Sequence, residues 1–157
     1  DESLEQIDPL LRSIAADLRS DGASEPKEQL DDIVHAFGLV SVQIDVDGSL
    51  PDDAHVAAAF LQIIREASTN ATKHAQAHQV QVRLWQEGSD GGAIAHMTVS
   101  NDGAPAPVSY REGTGIPGMR HVAQNLGGSL EVHAAPPFTL AVSIPLNSNA
   151  TVQRRSS

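Results

Sequence analysis

The spacing of apolar residues switches between two periods along the chain, and this switching constrains the fold more than any other sequence feature. Apolar residues three or four apart indicate a helix, whereas strict alternation indicates a half-buried strand. Because most neighbouring strands are joined as hairpins, the pattern predicts an α/β fold in two layers: a mixed, mostly antiparallel sheet with helices on one face. Helical spacing occurs in residues 3–19, 30–37, 52–75 and 116–126, and alternation in residues 40–46, 78–87, 93–100, 129–133 and 138–146.

The same pattern divides the chain into three parts. Residues 1–26 combine an amphipathic helix with a linker, residues 27–146 contain the sheet and its helices, and residues 147–157 form a polar tail that we expect to be disordered. Since the chain begins with Asp1 rather than Met, we expect it to be a fragment of a longer protein.

Composition excludes several classes of function. The net charge of −10 would repel a phosphate backbone, so a broad nucleic-acid-binding role is not expected. The chain has no cysteine, which excludes disulfides and thiolate metal sites. No apolar run is long enough to cross a bilayer. An anionic ligand would therefore need a local site with its own cations and backbone donors.

The long helix predicted over residues 52–75 carries a polar strip beside its apolar stripe. Glu66, Asn70 and Lys73 follow one another at helical spacing. Magnesium prefers a few protein oxygens and keeps its waters and the substrate phosphates, so Asn70 is a candidate metal ligand. Glu66 is a candidate for orienting or deprotonating a nucleophile through water. On spacing alone, a solvated helix edge explains these residues better.

A second candidate element is Asn101-Asp102-Gly103, which ends a strand and opens a long loop. A buried Asp102 would accept a hydrogen bond from an exocyclic amine and so select adenine. An ordinary Asx turn would also explain the motif. The loop over residues 101–115 has the length and the glycine and proline content of a mobile binding loop.

The third element is the glycine string from Gly113 to Gly118. It matches the G-x-G-x-x-G pattern of dinucleotide-binding folds, but that pattern requires a buried strand immediately before it. The preceding residues, which include Pro105, Pro107 and Arg111, do not form one. What remains is that glycines permit close backbone approach and that the following helix begins with amides free to bind phosphate oxygens.

The order of these elements resembles the nucleotide-binding domain of sensor histidine kinases, the GHKL ATPase superfamily that also contains gyrase, Hsp90 and MutL. Residues 65–75 (REASTNATKHA) resemble its N-box, residues 101–103 (NDG) its G1 box and residues 113–120 (GTGIPGMR) its G2 box. The resemblance covers about residues 38–146 and is strongest to the DesK-like and nitrate-sensing subgroup. It implies a Bergerat-type two-layer α/β sandwich that binds ATP and Mg²⁺.

The resemblance also implies roles for individual residues. Glu66 would be catalytic, Asn70 would bind magnesium, and Asp102 would contact the adenine amino group. The remaining expected ATP-binding residues are Lys73, His74, Gly103, Gly113, Thr114, Gly115, Gly118 and Met119.

The implied reaction is transfer of the ATP γ-phosphoryl group to a histidine on a separate dimerisation domain of the same full-length homodimeric protein, then to a response regulator of the NarL type. The implied location is the cytoplasmic part of a membrane-anchored bacterial sensor. No histidine here is followed by Asp at the head of a helix, so the phosphoacceptor is not expected within this chain, and residues 3–19 would be the second helix of the dimerisation hairpin. Two alternatives stay open: an anti-sigma-factor serine kinase built on the same domain, and a nucleotide-binding module without transfer activity, which the missing second G1 glycine favours.

Overall fold

The computed structural model describes residues 25–88, 92–103, 115–133 and 137–146. The predicted helix over residues 3–19, the linker and the polar tail lie outside these residues. Eight elements occur in the order α1 (Pro26–Gly38), β1 (Gln43–Asp47), α2 (Ala54–His74), β2 (Gln79–Glu87), β3 (Ile94–Asn101), α3 (Ile116–Asn125), β4 (Ser129–His133) and β5 (Thr139–Pro145).

The five described strands form one mixed sheet in the order β1-β2-β3-β5-β4. β1 pairs with β2 in parallel, because α2 carries the chain from the end of one strand back to the start of the next. The other three pairings are antiparallel. The predicted mixed, mostly antiparallel sheet is therefore confirmed.

The helices pack on one face of the sheet, which gives the predicted two layers. The apolar stripe of α2 is fully included in the core, since Phe60, Ile64, Ala67 and Ala71 are all buried. Alternate residues of the central strands meet this stripe, and the residues between them are half-buried or exposed on the opposite face. On that open face Trp85 stacks on His96 with the ring centroids 5.2 Å apart, while Met97 points into the core.

Two boundaries differ from the sequence-based prediction for physical reasons. β1 begins at Gln43 rather than at Val40, because the chain leaves α1 through a tight turn in which Ser41 has a φ of 68°. α2 begins at Ala54, and its N-cap is Asp53, whose carboxylate accepts hydrogen bonds from the amides of His55 and Val56. A helix N-terminus leaves amides unpaired, and this side chain satisfies two of them.

None of the helices in the described part of the chain combines the length and apolarity needed to cross a bilayer.

Candidate functional site

The polar strip predicted on α2 lies beside the buried stripe, as its spacing indicates. Asn70 is only 4% exposed, whereas Glu66 and Lys73 are half-buried. A fully solvated helix edge therefore does not describe this strip. The carboxylate of Glu66 and the carboxamide of Asn70 lie one helical turn apart, which places two kinds of oxygen ligand along one side of α2. The side chain of His74 lies outside the described residues.

Gly115 brings the start of α3 against this strip. A Cβ added to Gly115 would lie 2.6 Å from Oε2 of Glu66 and 3.2 Å from its carboxyl carbon. Gly115 also has a φ of 92°, a conformation that residues with a Cβ rarely adopt. The glycine is thus required both by the backbone turn and by the closeness of the carboxylate.

α3 begins directly after Gly115 with amides that no side chain caps. Met119 donates its backbone N–H to the carbonyl of Gly115 at 2.9 Å, while the side chains of Ile116 and Met119 are buried in the core. Gly118 is exposed, and no heavy atom of the described residues lies within 4 Å of the position that its Cβ would take. Among the described residues no side chain covers these amides, and uncapped amides at a helix start bind anions well. Gly113 and Thr114 lie outside the described residues.

The Asn101-Asp102-Gly103 motif sends its first two side chains to opposite faces of the sheet. Asn101 pairs with Val80, which is fully buried, so Asn101 faces the helix layer and is itself only 8% exposed. Asp102 is the next residue and points to the open face, where it is exposed. The expectation of a buried carboxylate at position 102 thus differs from the structure, because successive residues of a strand alternate between faces.

The carboxylate of Asp102 binds the backbone at the start of β2. Its Oδ1 accepts hydrogen bonds from the amides of His78 at 2.9 Å and Gln79 at 3.0 Å. Desolvation acts to raise the pKa of Asp102, but the amides of Gln79 and His78, its own amide and the His78 imidazole together hold that pKa below its ordinary value of 3.8. Asp102 therefore joins the motif to the strand that follows α2.

Gly103 attaches the other end of the motif to α2. A Cβ at Gly103 would lie 2.5 Å from the Cβ of Ala75, which caps the C-terminus of α2. Gly103 thus lies beside the C-terminal end of α2, and Gly115 lies beside Glu66 on the same helix. Glu66 and Ala75 are nine residues apart, or about 13 Å along the helix axis. All three sequence motifs consequently meet along one helix.

The donor chemistry of this strip suits the magnesium that the family resemblance implies. Magnesium takes oxygen ligands and usually only one or two from the protein, as Asn70 and Glu66 would supply. Within the described residues no group of three or more His, Asp or Glu side chains is placed to hold a metal ion by itself. When bound, the ion would neutralise phosphate charge.

Sequence reasoning assigned no role to Asn101, which the structure places on the same face of the sheet as α2. From the sequence, the motif predicts only a strand end and a turn at this position. The alternation of β3 carries the signal, because Ala95, Met97 and Val99 are buried and Asn101 continues the same parity.

A groove of about 580 Å³ between α1 and β1 has none of the predicted site residues in its lining.

Comparison with known proteins gives concordant results. Residues 55–148 match the family model of histidine kinase-, DNA gyrase B- and HSP90-like ATPases. The chain is 30% identical to the sensor histidine kinase MctS of Rhizobium johnstonii over 74% of this chain and 26% of that protein. It is 31% identical to the nitrate/nitrite sensor protein NarQ of Escherichia coli over 82% of this chain and 23% of NarQ.

The chain thus spans about a quarter of the length of these two relatives. Its fold is similar to that of the ATP-binding domain of PrrB from Mycobacterium tuberculosis, with a TM-score of 0.57 and 20% identity over 74% of this chain and 90% of that one. The family match covers more than half of the 157 residues. The chain belongs to the histidine kinase-, DNA gyrase B- and HSP90-like ATPase family, as an ATP-binding domain.

Proposed function

We propose that this chain is the catalytic domain of a two-component sensor histidine kinase, which donates the γ-phosphoryl group of Mg-ATP to a histidine on a separate dimerisation domain. The observation that carries the proposal is the contact of Gly115 with Glu66, since it joins the start of α3 to the polar strip of α2. The sequence similarity to the sensor histidine kinase MctS and to the nitrate/nitrite sensor protein NarQ supports the same assignment.

The residues along α2 have separate roles in phosphoryl transfer. Asn70 would hold the magnesium ion, Glu66 would orient the attacking imidazole or accept its proton, and Lys73 and His74 would contact the phosphates. Phosphate contacts are assigned to the backbone of Gly113, Thr114, Gly115 and Gly118, and Gly103 would belong to the same nucleotide site. Catalysis of this kind depends on positioning and charge neutralisation rather than on covalent chemistry of the protein.

The acceptor histidine lies outside this chain in the proposed reaction. Among the described histidines, His35 is exposed in the last turn of α1 and is followed by Ala36. We propose that the acceptor belongs to the dimerisation domain of the full-length homodimer, on the cytoplasmic side of a membrane-anchored sensor. The phosphoryl group then passes to a response regulator of the NarL type.

The test uses this chain together with a separately produced dimerisation domain from the full-length protein and γ-labelled ATP. We expect label on the dimerisation domain and none on the chain alone. Glu66→Gln should still bind Mg-ADP but transfer at least tenfold less phosphate, because the amide cannot accept a proton. Labelling of a histidine within residues 1–157 would contradict the proposal, and nucleotide binding without any transfer would favour a non-catalytic module.

A serine kinase acting on a sigma-factor antagonist gives a different result in the same assay. It would label a serine of a partner protein and leave the dimerisation domain unlabelled.

A further inference from the structure

We propose that Asn101 reads the purine base and that its amide gives this site tolerance for 6-oxopurine nucleotides as well as adenine nucleotides. The inference rests on the proposed nucleotide-binding function and adds the class of base that the site accepts. It assigns base recognition to the side chain on the helix-covered face of the sheet rather than to Asp102.

The register of β2 and β3 places Asn101 on the correct face. Asn101 pairs with Val80, a residue with no exposed surface that belongs to the core under α2. Gly103, two residues later, packs against Ala75 at the end of α2. Asn101 therefore lies under the last turns of the helix that carries Asn70 and Lys73, where a nucleotide bound along α2 would place its base.

The orientation of the Asn101 amide follows from its neighbours. The amide of Gly103 donates a hydrogen bond to Oδ1 of Asn101 at 2.7 Å. Only an oxygen can accept this bond, so the amino group Nδ2 must point away from Gly103. The backbone N–H of Asn101 donates to the carbonyl of Phe138 at 3.2 Å, which fixes the residue at the sheet edge.

Nδ2 has the properties of a ligand-binding donor. Among the described residues it donates no hydrogen bond, although its residue is only 8% exposed. Nδ2 also keeps some accessible surface. Within the described part of the chain, the fully enclosed side-chain polar atom that lacks a partner is Ser68 Oγ and not Nδ2. A donor in such an almost enclosed position has little access to water. A bound ligand would supply the hydrogen-bond acceptor that it lacks.

An amide and a carboxylate recognise purines differently. A carboxylate only accepts hydrogen bonds, so it selects the 6-amino group of adenine and repels a 6-oxo group. The Asn101 amide donates from Nδ2 to a ring nitrogen of adenine or to the 6-oxygen of guanine or hypoxanthine, and Oδ1 retains a second lone pair for the 6-amino group. The Asn101 amide can therefore bind both adenine and 6-oxopurine bases.

Asp102 provides the matched control because it sits next in sequence but on the opposite face. Its Oδ1 is held by the amides of His78 and Gln79. A hollow of about 180 Å³ at this end of the sheet is lined by both polar residues of the motif, together with Gln79, Gln81, Ser100 and Pro137. The Asp102→Asn substitution removes a carboxylate of the same motif and leaves the side chain of Asn101 unchanged.

The experiment measures the affinities of the magnesium complexes of ADP and inosine diphosphate by titration calorimetry. The native chain is expected to bind the two within about tenfold of each other. Asn101→Asp should raise the preference for ADP by about tenfold or more, the scale of one good two-point contact to a base. Asp102→Asn should leave the ratio of the two affinities unchanged.

The outcomes separate the inference from the function on which it rests. A native preference for ADP of a hundredfold or more overturns the inference without any variant, so it stays testable if Asn101→Asp fails to fold. A ratio that moves with Asp102→Asn and not with Asn101→Asp also overturns it. If neither nucleotide binds the native chain, the proposed function fails and the inference fails with it.

Discussion

The Cα of Gly115 lies so close to the carboxylate of Glu66 that an added Cβ would be 2.6 Å from Oε2. This contact joins the helix that carries the polar strip to the helix that follows the glycine string. It makes the backbone of Gly115 and the side chain of Glu66 parts of one site.

Replacing Gly115 with Ala should lower the free energy of unfolding by about 1–2 kcal/mol, because an L residue pays that amount in the left-handed conformation. The displaced Glu66 should also weaken phosphoryl transfer. Urea denaturation measures the first effect and the two-component transfer assay the second. Gly118→Ala is the matched control, since its Cβ would meet open space within α3 and a helix gains up to about 1 kcal/mol from the change. Equal destabilisation by the two variants would contradict this account of Gly115.

Ser68→Ala should stabilise the fold. The Ser68 hydroxyl is fully buried in α2 and has no hydrogen-bond partner among the described residues. An unsatisfied buried polar group costs about 1–3 kcal/mol, and the methyl group of Ala removes it at little loss of volume. Thermal unfolding should therefore shift upwards. The comparison variant is Thr72→Ala, which removes the hydrogen bond from Oγ1 to the carbonyl of Ser68 at 2.8 Å and should not stabilise the chain. A lower melting temperature for Ser68→Ala would show that the hydroxyl has a partner.

Asp102 should contribute to stability in a way that depends on pH. Its folded-state pKa is lowered, so the contribution is fully present above the ordinary value of 3.8 and is lost as the pH falls through the folded-state pKa. Asp102→Asn should therefore be less stable than the native chain at pH 7, and the difference should shrink below pH 3.8. Urea denaturation of both proteins across the acid range measures this difference. A constant difference at every pH would contradict the assignment of the shift to the amides of His78 and Gln79.

Mg-ADP should raise the melting temperature of the chain. A ligand at about a hundred times its dissociation constant stabilises the folded state by about 2.7 kcal/mol. Removing magnesium with a chelator should take away most of the gain, because the phosphates are then held without their counter-ion. ADP should raise the melting temperature of Asn70→Ala by the same amount with and without magnesium. A native chain whose melting temperature does not change with Mg-ADP would contradict the whole assignment. Because Asn70 is buried, the variant's own unfolding curve serves as its baseline.

The helix layer of the fold could be predicted from sequence because its signals are local and repeated. Phe60, Ile64 and Ala67 recur at helical spacing, and burial of that stripe needs only a sheet to cover it. The contact between Gly115 and Glu66 could not be predicted, since it joins residues 49 positions apart through the packing of α3 on α2. Spacing within one helix carries no information about what lies opposite.

The base-reading end of the site shows a finer limit. The motif Asn101-Asp102-Gly103 indicates a strand end, but the choice between its two polar residues depends on which of them faces the helices. That choice follows from the pairing of Asn101 with Val80, and a shift of one residue would reverse it. The motif by itself favours the carboxylate as the recognition group. The alternation of side chains along the strand decides which of the two residues faces the helices.

The parallel pairing of β1 with β2 has a consequence for how the domain folds. The antiparallel hairpin of β2 and β3 can form between segments that are close in sequence, but β1 reaches β2 only after the whole crossover through α2 has closed. Pairings that enclose long segments carry the larger entropic cost and tend to form late. Since α2 is that crossover and also carries Glu66 and Asn70, a refolding chain would acquire its nucleotide affinity together with this late pairing, and nucleotide binding would report that the crossover has closed.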